Sequence, residues 1–237
     1  MQLRLLTTNV ERSVFLARLE QARARHGASF RENSQSRALN QRRLECSRLY
    51  GLFESDGAPP SAMLAGVAMH DLRSFPQSCP EPNLSHLPPE TVAECSDHWS
   101  LSNGAGMVAW AGLAVPMRLL GITTVLAYLA ASDDQCAHAG FYRLMGFQPL
   151  GPKVPHPFVE TPEGDKLMVQ PVVLQGDAFD RAMKALSIAC TDYSDDARIF
   201  DLKNVRSLMR LASVRQREYV SVTKPVGEND AVETARS

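Results

Sequence analysis

The amino-acid sequence predicts a fold that mixes strands and helices, of α/β or α+β class. Three observations carry that prediction. Short alternating or β-branched runs interleave with helix-period stretches from residue 1 to about 175. Of the 237 residues 44% are hydrophobic and 22% charged, which supports one sizeable core and excludes wholesale disorder. The most apolar stretch, 105–132, changes character at Gly121, with Ala, Met and Leu before it and TTVLAY after it. Its length would suffice to cross a bilayer. Pro116, Arg118 and Gly121 in its middle favour a helix followed by a buried strand instead.

The elements follow in order. QLRLLTT, 2–8, alternates loosely and reads as a first strand. Asn9 is the expected cap of a helix to about His26, with Val10, Val14, Phe15, Leu19 and Ala22 as its apolar stripe and Gly27 as its stop. Residues 28–45 are polar and Arg-rich and suit a second short helix. SRLYGLFES (47–55) and AMLAGVAMHDL (62–72) face each other as strands across the turn DGAPPS. Five prolines make 74–90 a loop, and TVAECSDHWSLS (91–102) is a strand. The turn 103–106 opens the apolar helix, and a strand spans 122–130. Asp133 and Asp134 are expected to cap a helix through Met145, which Gly146 ends. FQPLG (147–151) and KLMVQPVVL (166–174) are the last strands of this part.

From Asp177 the apolar residues recur at helical spacing: Phe179, Met183, Leu186 and Ile188, then Ile199, Leu202, Val205, Leu208, Met209 and Leu211. Such a stripe buries against something, either this sheet or a second subunit in a homodimer. From about residue 223 periodicity is lost, and a disordered tail is expected to 237.

Composition narrows the function. A net charge of −1 gives no global pull toward nucleic acid or an anionic membrane. Residues 1–50 are nonetheless net +6, and residues 51–100 net −6. These are two solvated faces that attract each other, or a basic surface suited to an acidic carrier protein or a phosphate. The five cysteines are scattered without a Cys-x-x-Cys, and the histidines show no ligand spacing, so no metal site is expected. The start MQLRLLTTNVERSVF lacks an apolar signal core, which predicts a cytoplasmic protein without stable membrane insertion.

The most informative motif is AHAGFYRLMGFQPLG, 137–151, a helix that closes in Phe-Tyr-x-x-x-Gly-Phe before a strand. Gly146 would take the left-handed position that stops the helix, and Phe147 would pack back onto it. Through Ala139, Phe141, Tyr142, Gly146, Phe147 and Gly151 this stretch resembles the last motif of the Gcn5-related N-acetyltransferases (GNAT). The order of strands and helices over 1–175 is similar to theirs as well. The resemblance implies a mixed, mostly antiparallel sheet of about seven strands with flanking helices over 1–175, and leaves 176–222 as a C-terminal helical extension. It also implies an acyltransferase that moves an acetyl or longer acyl group from acetyl-CoA or another acyl-CoA to a small-molecule amine.

The phosphate loop of that family, Q/R-x-x-G-x-G/A, is replaced here by LSNGAGMVAW, 101–110. Ser102, Asn103, Gly104, Ala105, Gly106 and Met107 would still open a helix whose free amides and dipole suit a pyrophosphate. Because it lacks the usual loop, the chain also resembles the acyl-homoserine-lactone and long-chain N-acyl amino acid synthases, which carry E-x-S-R on the fourth strand after a proline-rich segment. Here LPPETVAECSDHW supplies Glu94, Cys95 and Ser96, with Asp97 where arginine is expected. That branch implies an acyl carrier protein as donor. A third possibility is a non-catalytic descendant of the fold that only binds a ligand.

Acyl transfer to an amine needs a base for the ammonium proton and an acid for the leaving thiolate. The resemblance gives Tyr142 the acid's place. Glu94, and after it His98, lie on the strand where the base is expected. Plain alternation places Glu94, Ser96 and His98 on one face and Cys95, Asp97 and Trp99 on the other.

Overall fold

The computed structural model describes residues 1–25, 34–55, 57–79, 83–101, 105–132, 135–136, 142–143, 145–161, 163–188, 190–193 and 197–200. Its helices are α1 (Asn9–Arg25), α2 (Ser34–Cys46), α3 (Ala105–Gly112), α4 (Ala114–Leu119) and α5 (Gly176–Ile188). Its strands are β1 (Gln2–Leu5), β2 (Arg48–Phe53), β3 (Ala65–Asp71), β4 (Val92–Ser100), β5 (Thr124–Ser132), β6 (Gln135–Cys136), β7 (Gln148–Pro149), β8 (Val154–Glu160), β9 (Lys166–Gln175), β10 (Cys190–Tyr193) and β11 (Ala197–Phe200).

Local chemistry explains several boundaries. Thr8, not Asn9, caps α1: its hydroxyl accepts the Glu11 amide at 3.2 Å while Glu11 accepts the Thr8 amide at 3.1 Å. This reciprocal box satisfies two donors at once, which a lone Asn9 could not do. The apolar stretch 105–132 resolves into α3, α4 and β5, as the change of residue type predicted. Pro116 falls in the first turn of α4, where its missing N–H costs nothing. Gly121, at φ 70°, turns the chain toward β5. No helix among the described residues is long and apolar enough to cross a membrane.

Neighbouring strands run in the order β10-β11-β1-β2-β3-β4-β5-β9-β7, with β6 on β5 and β8 on β9. The pairs are antiparallel except β4 with β5. Eleven strands exceed the seven expected, for three reasons. Gln135–Cys136 turns back onto β5 as β6, where a helix was expected to begin at Asp133. FQPLGPKVPHPF divides at Gly151, φ 76°, into β7 and β8. The extension supplies β10 and β11, and Ile199 pairs with Gln2 instead of continuing a helical stripe. An edge such as β1 leaves a row of N–H and C=O groups unmatched, and β11 covers it.

Helices α3, α4 and α5 cover one face of the sheet. Their core gathers Trp110, Leu113 and Met117 with Val67, Cys95, Val125, Ala127, Leu174, Phe179 and Met183. Phe179 and Met183 of α5 therefore bury against this sheet. Leu202, Val205, Leu208, Met209 and Leu211 lie outside the described residues. The other face carries α1, α2 and the loop before β4. There Phe15 and Leu19 of α1 meet Leu49, Phe53, Ala68 and Trp99. Gly66 makes this contact possible, because a Cβ there would stand 2.5 Å from Phe15 and 2.8 Å from Trp99.

Candidate active site

The parallel strands β4 and β5 pair only at their starts, Val92–Thr124, Ala93–Val125 and Glu94–Leu126. Each runs on to its ninth residue without a ladder between them. Their outer halves diverge, while β3 and β9 hold their far sides through Ser100 and Ala130. The centre of the sheet is thus split beyond Glu94 and Leu126, with no ladder between β4 and β5 there.

A bulge just beyond the last paired residue shapes one lip. Gly66 opposes Trp99 but Ala68 opposes Ser96, so β4 carries one residue more than β3, and Asp97 sits at φ 47°. The extra residue reverses the alternation. Glu94, Ser96 and Trp99 share the α1/α2 face, and Asp97 meets Arg43 of α2, whereas Cys95 and His98 turn toward α3. The expectation that His98 shares a face with Glu94 fails for this reason.

On the α3 face, Tyr142 and Gly146 form the turn the motif implied, while 137–141, where the preceding helix was expected, lie outside the described residues. The Phe147 amide reaches the Tyr142 carbonyl at 2.9 Å and the Gly146 amide the Arg143 carbonyl at 3.0 Å, with Gly146 at φ 89°. The Tyr142 ring is buried edge-on between Trp110 and Phe147, at 6.0 and 5.0 Å. Burial, then the neighbouring Cys95, push its hydroxyl pKa well above the ordinary value, against a hydrogen bond with Trp110. The hydroxyl therefore keeps its proton, as a donor to a leaving thiolate must. Cys95 is fully buried and pushed up as well, which leaves it a thiol rather than a nucleophile.

His98 ties β4 to the start of α3, its Nε2 donating to the Gly106 carbonyl at 2.8 Å. Gly106 permits that approach, since a Cβ would come within 2.9 Å of His98 Nε2. Ala105 and Gly106 open α3, with Met107 one residue on. Ser102, Asn103 and Gly104 lie outside the described residues.

The opposite face buries polar groups. Glu94 is fully buried at β4, on the reverse side of the sheet from Tyr142. Its Oε2 accepts the Ser78 amide at 2.7 Å, and its Oε1 the Ser78 hydroxyl. Burial pushes the Glu94 pKa up, while Arg43 and Ser78 pull the other way. His70 Nε2 lies 4.0 Å from Glu94 Oε2, and its Nδ1 is 3.4 Å from Ser47 Oγ. Burial, then Arg43, push His70 down to about 4, so this imidazole is neutral at pH 7. Arg43 pairs with Asp97 and also donates to Ser96 and Asn40.

Sequence reasoning missed Arg43, His70 and Ser78. A signal for Arg43 exists: Ser36, Asn40, Arg43 and Ser47 recur at helical spacing, and all four are buried. Apart from Leu44, the inward face of α2 is polar where an apolar stripe would be ordinary, and Ser47 extends it one residue beyond the helix.

No family model and no curated protein matches the sequence. Solved structures do. FeeM, an N-acyl amino acid synthase from uncultured soil microbes, superposes with a TM-score of 0.51 at 14% identity, over 72% of this chain and 90% of that one. A CoA-dependent acyl-homoserine lactone synthase, BjaI, gives 0.47 at 14% identity, over 86% and 91%. A putative acetyltransferase from Salmonella typhimurium, yncA, gives 0.46 at 17% identity, over 73% and 92%. With its split central strands and its mostly antiparallel sheet between two layers of helices, the chain has the Gcn5-related N-acetyltransferase fold.

Proposed function

We propose that this protein is an acyltransferase that moves an acetyl or longer acyl group from an acyl-CoA thioester to a small amine. The observation that carries this is the split between β4 and β5, with a buried tyrosine hydroxyl on one side of β4 and a buried carboxyl on the other. Backbone amides along the lips would hold the extended arm of the donor, and one would stabilise the oxyanion of the tetrahedral intermediate. The opening of α3, with Ala105, Gly106 and Met107, would take the pyrophosphate, together with Ser102, Asn103 and Gly104.

Chemically, the amine nitrogen attacks the thioester carbon and the carbon–sulfur bond breaks. Tyr142 donates its proton toward the departing thiolate. Glu94 is the candidate acceptor of the ammonium proton. Because Glu94 is shut under Ser78, that proton reaches it only when the loop around Ser78 yields or a water intervenes. His98, bonded to the Gly106 carbonyl, serves to hold β4 against α3 rather than as the base.

The test has two steps. Thermal stabilisation by coenzyme A, acetyl-CoA and a long-chain acyl-CoA reports donor binding. Thiol release with a panel of amines and amino acids then reports transfer. Stabilisation by none of the three donors would overturn the proposal. Stabilisation without thiol release would favour a binding protein of the same fold.

A further inference from the structure

We propose that Arg43 is the positioning residue that holds the β4 bulge and so sets the width of the split between β4 and β5. Three observations converge on it. First, Asp97 is the sole non-glycine residue at positive φ among the described residues, and the left-handed region is one that L side chains rarely adopt. It lies three residues beyond the last β4–β5 pair, where the strand must choose between following β5 and bending away. Second, the Arg43 guanidinium contacts Asp97 Oδ2 in the bulge and Ser96 Oγ on the residue that leads into it, with the Arg43 and Asp97 side chains 5% and 6% exposed. A planar fork fits such a two-point hold, and Asn40 fixes its orientation from one helical turn away. Third, α2 reaches past the split to its far side: the Ser36 hydroxyl donates to the Pro157 carbonyl of β8 at 3.2 Å. β8 pairs with β9, and β9 with β5. The helix is therefore a strut, anchored by Arg43 to one lip and by Ser36 to the strands behind the other.

A buried ion pair is weak support for stability, because desolvating both charges offsets most of their attraction. This pair fixes a backbone geometry instead. The role rests on the acyl-donor reading only for its consequence in binding; the hold on the bulge stands apart from it.

The experiment separates the geometry from the charges. Arg43→Met is combined with Asp97→Gly in one variant and with Asp97→Ala in another. Both doubles remove both charges of the Arg43–Asp97 pair and leave the buried Glu94 in the same surroundings, so the difference between them lies at residue 97 alone, which keeps the test usable if Arg43→Met alone does not fold. Glycine adopts φ near 47° freely and alanine does not. Amide hydrogen exchange across 95–100 is read in each, alongside calorimetric affinity for coenzyme A. With Ala, exchange across β4 should rise roughly tenfold and coenzyme A affinity fall by about as much, as local openings become easier. With Gly, both should stay within about threefold of the native protein. Equal behaviour of the two doubles, or native exchange in both, would overturn the proposal. If the native protein does not bind coenzyme A, the donor reading falls, and exchange across 95–100 in Asp97→Asn, which keeps Arg43, against Arg43→Met/Asp97→Asn, which lacks it, still decides whether Arg43 holds the bulge: faster exchange only in the second supports the hold, and equal exchange overturns it.

Discussion

The two faces of the sheet meet at β4 and bury different chemistry there. Toward α3, Cys95 joins Trp110, Tyr142, Phe147 and Ala127 in an apolar core, with the Tyr142 hydroxyl as the titratable oxygen beside Cys95. Toward α2, the neighbouring Glu94 is hydrogen-bonded by Ser78, Arg43 pairs with Asp97, and the neutral His70 lies beside Glu94 with its Nδ1 on Ser47. The first arrangement gains from area removed from water and tolerates few gaps. The second gains little net energy but is expensive to leave half-paired. Around Cys95 stability therefore comes from apolar packing, while around Glu94 the polar groups fix where β4 bends and what protonation states lie beside the split; farther along the same face Phe15, Phe53 and Trp99 add an apolar cluster of their own.

Trp110→Ala should sharpen that contrast most. Emptying this fully buried position should cost about 3–5 kcal/mol in denaturant unfolding. A loss well under that would mean that the α3 face is looser than its packing suggests.

The next effect belongs to pH. The folded protein holds His70 at about 4, below the ordinary 6.5 of the unfolded chain. Between those values the unfolded state binds more protons, so stability is lost as pH falls through that window, by up to about 3 kcal/mol. Glu94 acts in the opposite sense: its raised pKa contributes stability at low pH that is lost as pH rises above 4.5. His70→Gln should therefore flatten the loss between pH 6.5 and 4 in unfolding curves. An unchanged acid limb would show that His70 does not control it.

Catalysis compares the faces directly. Tyr142→Phe and Glu94→Gln should each lower the maximal rate by ~10²-fold, the scale of one acid or base group, with donor affinity little changed. A loss in only one of them would confine the chemistry to that side of the sheet. The smallest effect is expected at Gly106. An added Cβ would press on His98 Nε2 at 2.9 Å and cost one hydrogen bond, about 1 kcal/mol in thermal or denaturant unfolding.

Much of the fold was legible because local signals agreed with it. The change at Gly121 separated α4 from β5, and the Phe-Tyr-x-x-x-Gly-Phe end of 137–151 closes as a glycine-capped turn. Other elements were hidden by tertiary demands. Ala197–Phe200 has apolar residues at helical spacing with those around it, yet it pairs along the open edge of β1. Gln135–Cys136 likewise turns back onto β5. At the site, the sequence named Tyr142, Glu94 and His98 as candidates, but the face that His98 takes depends on a bulge at Asp97 that no periodicity announces. Arg43 was unseen because its partners are 53 and 54 residues away, although the buried polar stripe of α2 was in principle readable.

The central claim is that an acyl-CoA donor lies in the split between β4 and β5. Amide hydrogen exchange with and without saturating coenzyme A tests it most directly, because β4 and β5 form no ladder with each other beyond Glu94 and Leu126. Protection should appear over 95–100, over 127–132 and at the start of α3, and the β10–β11 edge should be unchanged. Protection confined to other elements, with 95–100 and 127–132 exchanging as in the free protein, would contradict the account.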